Sequence, residues 1–209
     1  GFSMTAPSTT MGIAGNFTST GTFINGGGTI LFNGTSNLTA AEVYNNITVT
    51  GTVTSTGNFS QTVAGDLINN GTFDIGTGNL TWSGSGTLSG SGNTTIFDLN
   101  VTGTSCTYTA TGILTLRDDI LGAGSFNSSD PLAGPVIFAG AGSSIFGTGS
   151  KTFRTISVTG TLTPAVTYNL VGAGGIDVTG TLASGGTVVF AGSTQTITGS
   201  SINIAFNIF

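Results

Sequence analysis

The chain has 209 residues, of which 36 are glycine and only 5% are charged, against roughly 25% in ordinary soluble domains. With 3 Lys+Arg against 8 Asp+Glu, a net charge of -5 and a pI near 4.1, it lacks the clustered cations that nucleic acid or an anionic membrane surface requires. A mean hydropathy of +0.35 excludes a charged disordered chain, and no apolar run reaches the ~18 residues of a membrane helix.

In chain order, the head GFSMTAPSTTMGIAGNF carries Phe2, Met4, Met11 and Ile13 and no charge. No basic and apolar leader precedes it. The expectation is a mature chain whose leader was removed, or a stretch of a longer one. GTF at 21–23 and ILFNG around Phe32 read as short strands beside glycine turns. NLTAAEVYNN (37–46) is the candidate for a short helical turn. NITVTGTVT then alternates Ile47 and Val49 with Asn46, Thr48 and Thr50, the period of two that predicts a half-buried strand.

These landmarks return. GTF recurs at 71–73, as GSF at 124–126 and as GTL at 180–182. ILFNG recurs around Trp82, Phe138 and Phe190, and the aromatic of YNNITVTGT recurs at Phe97, Phe153 and Phe206. From Tyr44 to Gly71, Phe97 to Gly124 and Phe153 to Gly180 the spacing is 27 residues each time, whereas the other half varies from 23 to 29. A fixed and a variable half of similar length predict two turns of a coil, with insertions accepted in the second.

The predicted fold is all-β: a β-solenoid, parallel β-helix-like, forming one domain over 1–209. Four repeats of about 52 residues (1–43, 44–96, 97–152 and 153–205) make about two coils each, and 206–209 start an incomplete unit. A β-sandwich needs strands that differ by position, and these do not. Eight coils of about 25 residues at ~4.8 Å predict a rod of roughly 40 Å. The predicted interior ladders are Phe23, Phe73, Phe126 and Leu182; Phe32, Trp82, Phe138 and Phe190; and Tyr44, Phe97, Phe153 and Phe206. Glycine is expected to cap strand length and to supply turns with positive φ.

Asn-x-Ser/Thr occurs at Asn16, Asn33, Asn37, Asn46, Asn58, Asn70, Asn79, Asn93, Asn100 and Asn127, candidate acceptors for covalent N-glycans. The alternative is that these asparagines turn the chain or form ladders. Asp118 and Asp119, with Asp130 nearby, form the acidic cluster. An adjacent pair on a strand would face opposite ways, so a solvated loop is favoured over a Ca²⁺ site. Asp66 and Asp119 hold equivalent repeat positions, which favours a structural role. Lys151 and Arg154 read as surface charges, and Cys106 as a small buried apolar residue. There is no histidine, and the single glutamate, Glu42, has no carboxylate partner at a readable spacing. No catalytic residue, metal or cofactor is expected.

The GTF…ILFNG…YNNITVTGT pattern resembles the Gly/Thr/Asn-rich repeats of large secreted microbial surface proteins and adhesins with β-solenoid stalks. The resemblance spans the chain and implies an extracellular or cell-surface role, structural or adhesive, with no catalytic residues to carry over. The tail SSINIAFNIF breaks off mid-repeat. Joined to another copy, Phe206 and Gly21 stand 24 positions apart, against 27 internally. The expectation is therefore a structural subunit of an extracellular filament, a head-to-tail homopolymer built by coil completion. Its interface would comprise Phe2, Met4, Met11, Ile13, Ile204, Phe206, Ile208 and Phe209. The alternative is a stalk fragment of a large adhesin.

Overall fold

Residues 3–19, 21–183, 185–192 and 194–200 are described by a computed structural model. The chain winds as a β-solenoid of about ten turns, stacked through parallel strands. Each turn crosses three faces. On the first, Thr10–Ile13, Thr29–Phe32, Asn46–Val49, Leu67–Asn69, Ser85–Ser89, Ser105–Tyr108 and Ser125–Ser128 stack in order. The second stacks Thr35–Leu38, Thr52–Ser55, Thr72–Asp74, Asn93–Ile96, Leu114–Leu116 and Val136–Phe138. Two long strands, Lys151–Val158 and Tyr168–Val178, continue both faces round their shared corner, and Val188–Phe190 and Thr196–Thr198 follow on each. The third face runs from Val43–Tyr44 through Gln61–Val63, Leu80–Trp82 and Leu99–Val101 to Ile120–Leu121.

Most strands follow one rule. Alternate side chains point inward, as in Leu114–Leu116, where both leucines are buried and Thr115 is half-buried. Inward positions then form ladders, such as Met11, Ile30, Ile47, Leu67, Leu88 and Tyr108. From Val49 to Val178 the inward apolar residues are almost all wholly shielded from solvent, giving one continuous core.

Two sequence expectations need correction. Steps along that ladder are 17 to 21 residues, not about 25. A step of 25 occurs where Phe126 pairs with Lys151 and Ile120 with Ile145. The 52-residue spacing is therefore not a whole number of turns, and the predicted ladders do not form. Phe73 stacks on Val53 on the second face, Phe126 on Cys106 on the first, and Leu182 on Leu162 on the third. Trp82 stacks on Val63 and Val101, whereas Phe32 stacks on Val49. Phe97 is a half-buried turn residue, and Phe206 lies outside the described residues. All three faces use the same pattern of glycine, short alternating strand and glycine, so the pattern marks a face without saying which. The helical turn at 37–46 is also absent: Leu38 and Tyr44 are inward residues of strands on the second and third faces.

Glycine serves mainly another purpose than positive φ, which only Gly27, Gly76, Gly90, Gly122, Gly147 and Gly172 adopt among the described residues. At the corner between the first and second faces, Gly34, Gly51, Gly71, Gly92, Gly112 and Gly134 stack in a column. A Cβ on each from Gly51 onward would overlap the carbonyl oxygen of the glycine below. Coils about 4.8 Å apart leave no space for a side chain where the backbone turns edge-on.

Candidate functional sites on the solenoid

The first candidate is the pair of end rungs. On several ladders burial is complete in the middle and lower at one end, whereas others, such as those that end at Ser36 and Leu182, stay buried to the last described rung. Met4 is 44% exposed, while Phe23, its partner on the next coil, is buried. Met11 is half-buried above the buried Ile30. On the second face Leu114, Val136, Ile156 and Ile176 are buried, and Ile197, next in the ladder, is only half-buried. Of the predicted interface residues, Met4, Met11 and Ile13 lie on this first rung; Met4 is exposed, Met11 half-buried and Ile13 buried. Phe2, Ile204, Phe206, Ile208 and Phe209 lie outside the described residues.

The second candidate is the set of asparagines and aspartates. Many are clips between coils, in which the side-chain oxygen accepts a main-chain N–H about one turn further on. Asn16 accepts from Asn37 at 3.1 Å, Asn46 from Asp66 at 2.8 Å, Asn70 from Ser91 at 3.2 Å and Asn93 from Ile113 at 3.0 Å. Asp66 does the same for Thr87, Asp98 for Asp119 and Asp119 for Ser144. Asn37 donates to the Thr56 hydroxyl, Asn58 accepts from the Thr77 hydroxyl, and Asn127 accepts from Ser129 within its own turn. Asn33, exposed, and Asn79 and Asn100, half-buried, make no side-chain hydrogen bond among the described residues. Asn69, which is not in a sequon, is fully buried. It donates to the Asn93 carbonyl and the Thr94 hydroxyl while accepting from Gly71.

The third candidate is acidic. Asp98, Asp118 and Asp119 bring carboxylate oxygens within 4.8 Å of one another. Asp118 and Asp119 sit in a turn, not on a strand, so they are free to converge. Asp130 is not part of the group; its carboxylate accepts from Leu132 in its own turn. Asp98 was not legible as a member, because only the coil length places it beneath Asp119. Burial pushes the Asp119 carboxyl up to about 6, against a hydrogen bond from Ser144 and with repulsion from Asp118 and Asp98. Burial, then the Asp98 charge, raises Asp118 as well.

The chain matches no protein-family model, no curated protein and no solved structure.

Lys151 is not a surface charge. It is fully buried on the Phe126 ladder, and its Nζ donates to the carbonyls of Gly122, Gly124 and Gly149 at 3.0 to 3.2 Å. Burial lowers its pKa. Arg117 is held by Asp74 at 3.0 Å and the Gly76 carbonyl, and Arg154 is half-buried at the corner between the first and second faces. Cys106 is a buried free thiol, raised by burial. Glu42 is buried too; desolvation raises it and a hydrogen bond with Ser19 opposes the rise.

Proposed function

We propose that the protein is a structural rod: a subunit of an extracellular filament whose end rungs stack on those of further copies. The observation that supports this reading is the stack itself: coils joined by parallel strands, with inward ladders closed to solvent from Val49 to Val178, are extended by any further coil. Adding a coil to such a stack pairs main-chain groups along each strand and covers inward apolar side chains. The two ends of a solenoid are different surfaces, so joining them is heterologous and propagates as a fibre. An extracellular setting fits the cation chemistry. Trypsin-like proteases need accessible Lys or Arg; of three such residues, Lys151 is buried and Arg117 is ion-paired. The clip asparagines with exposed side chains remain candidate glycan acceptors in that setting.

The same rungs fit the stalk of a large adhesin, where the added coils come from one chain. Electron microscopy of the purified protein at micromolar concentration separates the two readings. Filaments with an axial repeat of about 48 Å, set by ten rungs, would support the subunit, and Met4→Lys with Ile197→Asp should abolish them. Discrete particles at every concentration would sink the homopolymer in favour of the stalk.

A further inference from the structure

The outer side of the second face carries two columns of polar side chains. One runs Thr35, Thr52, Thr72 and Asn93 in the lower coils and Thr155, Gly175 and Thr196 in the upper. Beside it run Ser157, Asp177 and Thr198. Apolar residues break the columns in between, as at Ile137 beside Ser157, and the strand register itself breaks at one place. Between the pairs Phe153–Leu170 and Thr155–Gly175, one strand has a single residue, Arg154, and the other has four, Val171 to Gly174. The surplus bulges out, with Gly172 at a φ of 69°, and raises a wall above the sheet. The column residue next to it is Gly175, where a side chain would overlap Thr196.

Beside the bulge lies a solvent-open recess of about 190 Å³, lined by Thr155, Asp177, Thr196 and Thr198 together with Ala173, Ile176 and the Gly174–Gly175 backbone. Asp177 is exposed, and its Oδ1 accepts the Thr198 hydroxyl at 2.9 Å. Unlike Asp66, Asp98, Asp119 and Asp130, it holds no main-chain N–H among the described residues. Its bond to Thr198, one coil on, leaves Oδ2 without a hydrogen-bond partner among the described residues, in a recess that also holds three threonines.

We propose that this recess binds one neutral saccharide unit. A carboxylate accepts two neighbouring sugar hydroxyls as a forked pair, and charged acceptors make the stronger bonds. The three threonine hydroxyls both donate and accept, which suits the remaining sugar oxygens. Ala173 and Ile176 add an apolar part to the lining, which suits the C–H face of a ring. The volume is below the roughly 300–1,000 Å³ of pockets for drug-sized apolar ligands, so one ring, not a long chain, fits. An anionic ligand would meet the Asp177 carboxylate on a chain of net charge -5. A single carboxylate is too few ligands for a hard cation.

Amide NMR of the labelled full chain, titrated with methyl glycosides of glucose, galactose, mannose and N-acetylglucosamine, tests the site. The expected result is a saturable shift at millimolar concentration for at least one of them, confined to Gly174, Gly175, Asp177, Thr196, Thr198 and Thr155. Asp177→Asn should weaken it about tenfold, the equivalent of one charge-assisted hydrogen bond. Thr155→Val provides a second variant if the first perturbs the fold, and Asn33→Ala should change nothing. No saturable shift with any glycoside overturns the proposal. So does binding that both Asp177→Asn and Thr155→Val leave unchanged, or an equal response to glycerol.

Discussion

Gly71 stacks directly on Gly51, so that a Cβ on Gly71 would overlap the Gly51 carbonyl oxygen. That same oxygen accepts the Thr72 N–H at 3.0 Å. Relieving the overlap therefore means separating two coils at a point where they are hydrogen-bonded. Gly71→Ala should destabilise the fold by about 1–3 kcal/mol, the usual range for overpacking. Gly12 lies in a strand of the first coil with nothing within 4 Å of the added atom. Gly12→Ala should be neutral or slightly stabilising. Thermal melts of the two variants decide the matter; equal effects would mean that the glycine column does not set the coil spacing.

Asp119 predicts a pH dependence of unusual sign for a carboxylate. Its folded pKa is raised to about 6 by burial and by neighbouring acids, above the ordinary value of about 3.9. The folded state thus binds more protons than the unfolded state between those values, and stability falls as pH rises from about 4 to 6. Asp119→Asn keeps an oxygen for the Ser144 N–H and removes the charge. It should be more stable than the parent at neutral pH by about 1 kcal/mol, after discounting for solvent screening. The advantage should shrink as pH falls through 6. Denaturant titrations of both proteins across that window measure it, and a parallel pair of curves would contradict the assignment.

Lys151 is the one cation placed in the core among the described residues, and its three carbonyl acceptors close a corner of the longest coil. Lys151→Met retains an unbranched apolar stem but leaves the carbonyls of Gly122, Gly124 and Gly149 without this donor. A loss of about 1–3 kcal/mol is expected, since buried acceptors are left unsatisfied. The lowered pKa adds a second signature. The folded state sheds the proton before the unfolded state does. The parent should therefore gain stability relative to Lys151→Met as pH climbs from the lowered value towards about 10.4. Chemical denaturation at neutral and alkaline pH gives both numbers.

The solenoid was legible in the sequence because short alternating strands between glycines admit few other folds. Its winding was not. Phe73, Phe126 and Leu182 share a motif yet sit on three different faces, because each face asks only for inward apolar residues and a side-chain-free corner. Without the length of the turn, no reading could bring Asp98 under Asp119, or recognise that Asn46, Asn70 and Asn93 reach one coil ahead. Lys151 was misread for a related reason: a charge beside Phe153 looks superficial until its corner carbonyls are in place. The end rungs were anticipated as apolar from Met4 and Met11. The recess at Asp177 rests on a local bulge that leaves no periodic trace.

The sequon asparagines offer the sharpest separation of a structural from a purely chemical role. Asn93 is exposed, and its oxygen holds the Ile113 N–H of the next coil at 3.0 Å; its own carbonyl receives the buried Asn69 amide at 2.8 Å. Asn93→Ala removes the first bond and leaves the second, so a loss of about 1 kcal/mol is expected. Asn33 is also an exposed sequon residue, but its side chain bonds to nothing among the described residues. Asn33→Ala should fall within about 0.5 kcal/mol of the parent. Both variants made without glycosylation isolate the clip. A cost for Asn93 alone means that the abundance of asparagine serves coil stacking whether or not any site carries a sugar. Equal and negligible costs would instead leave attachment chemistry as the better reason for these residues.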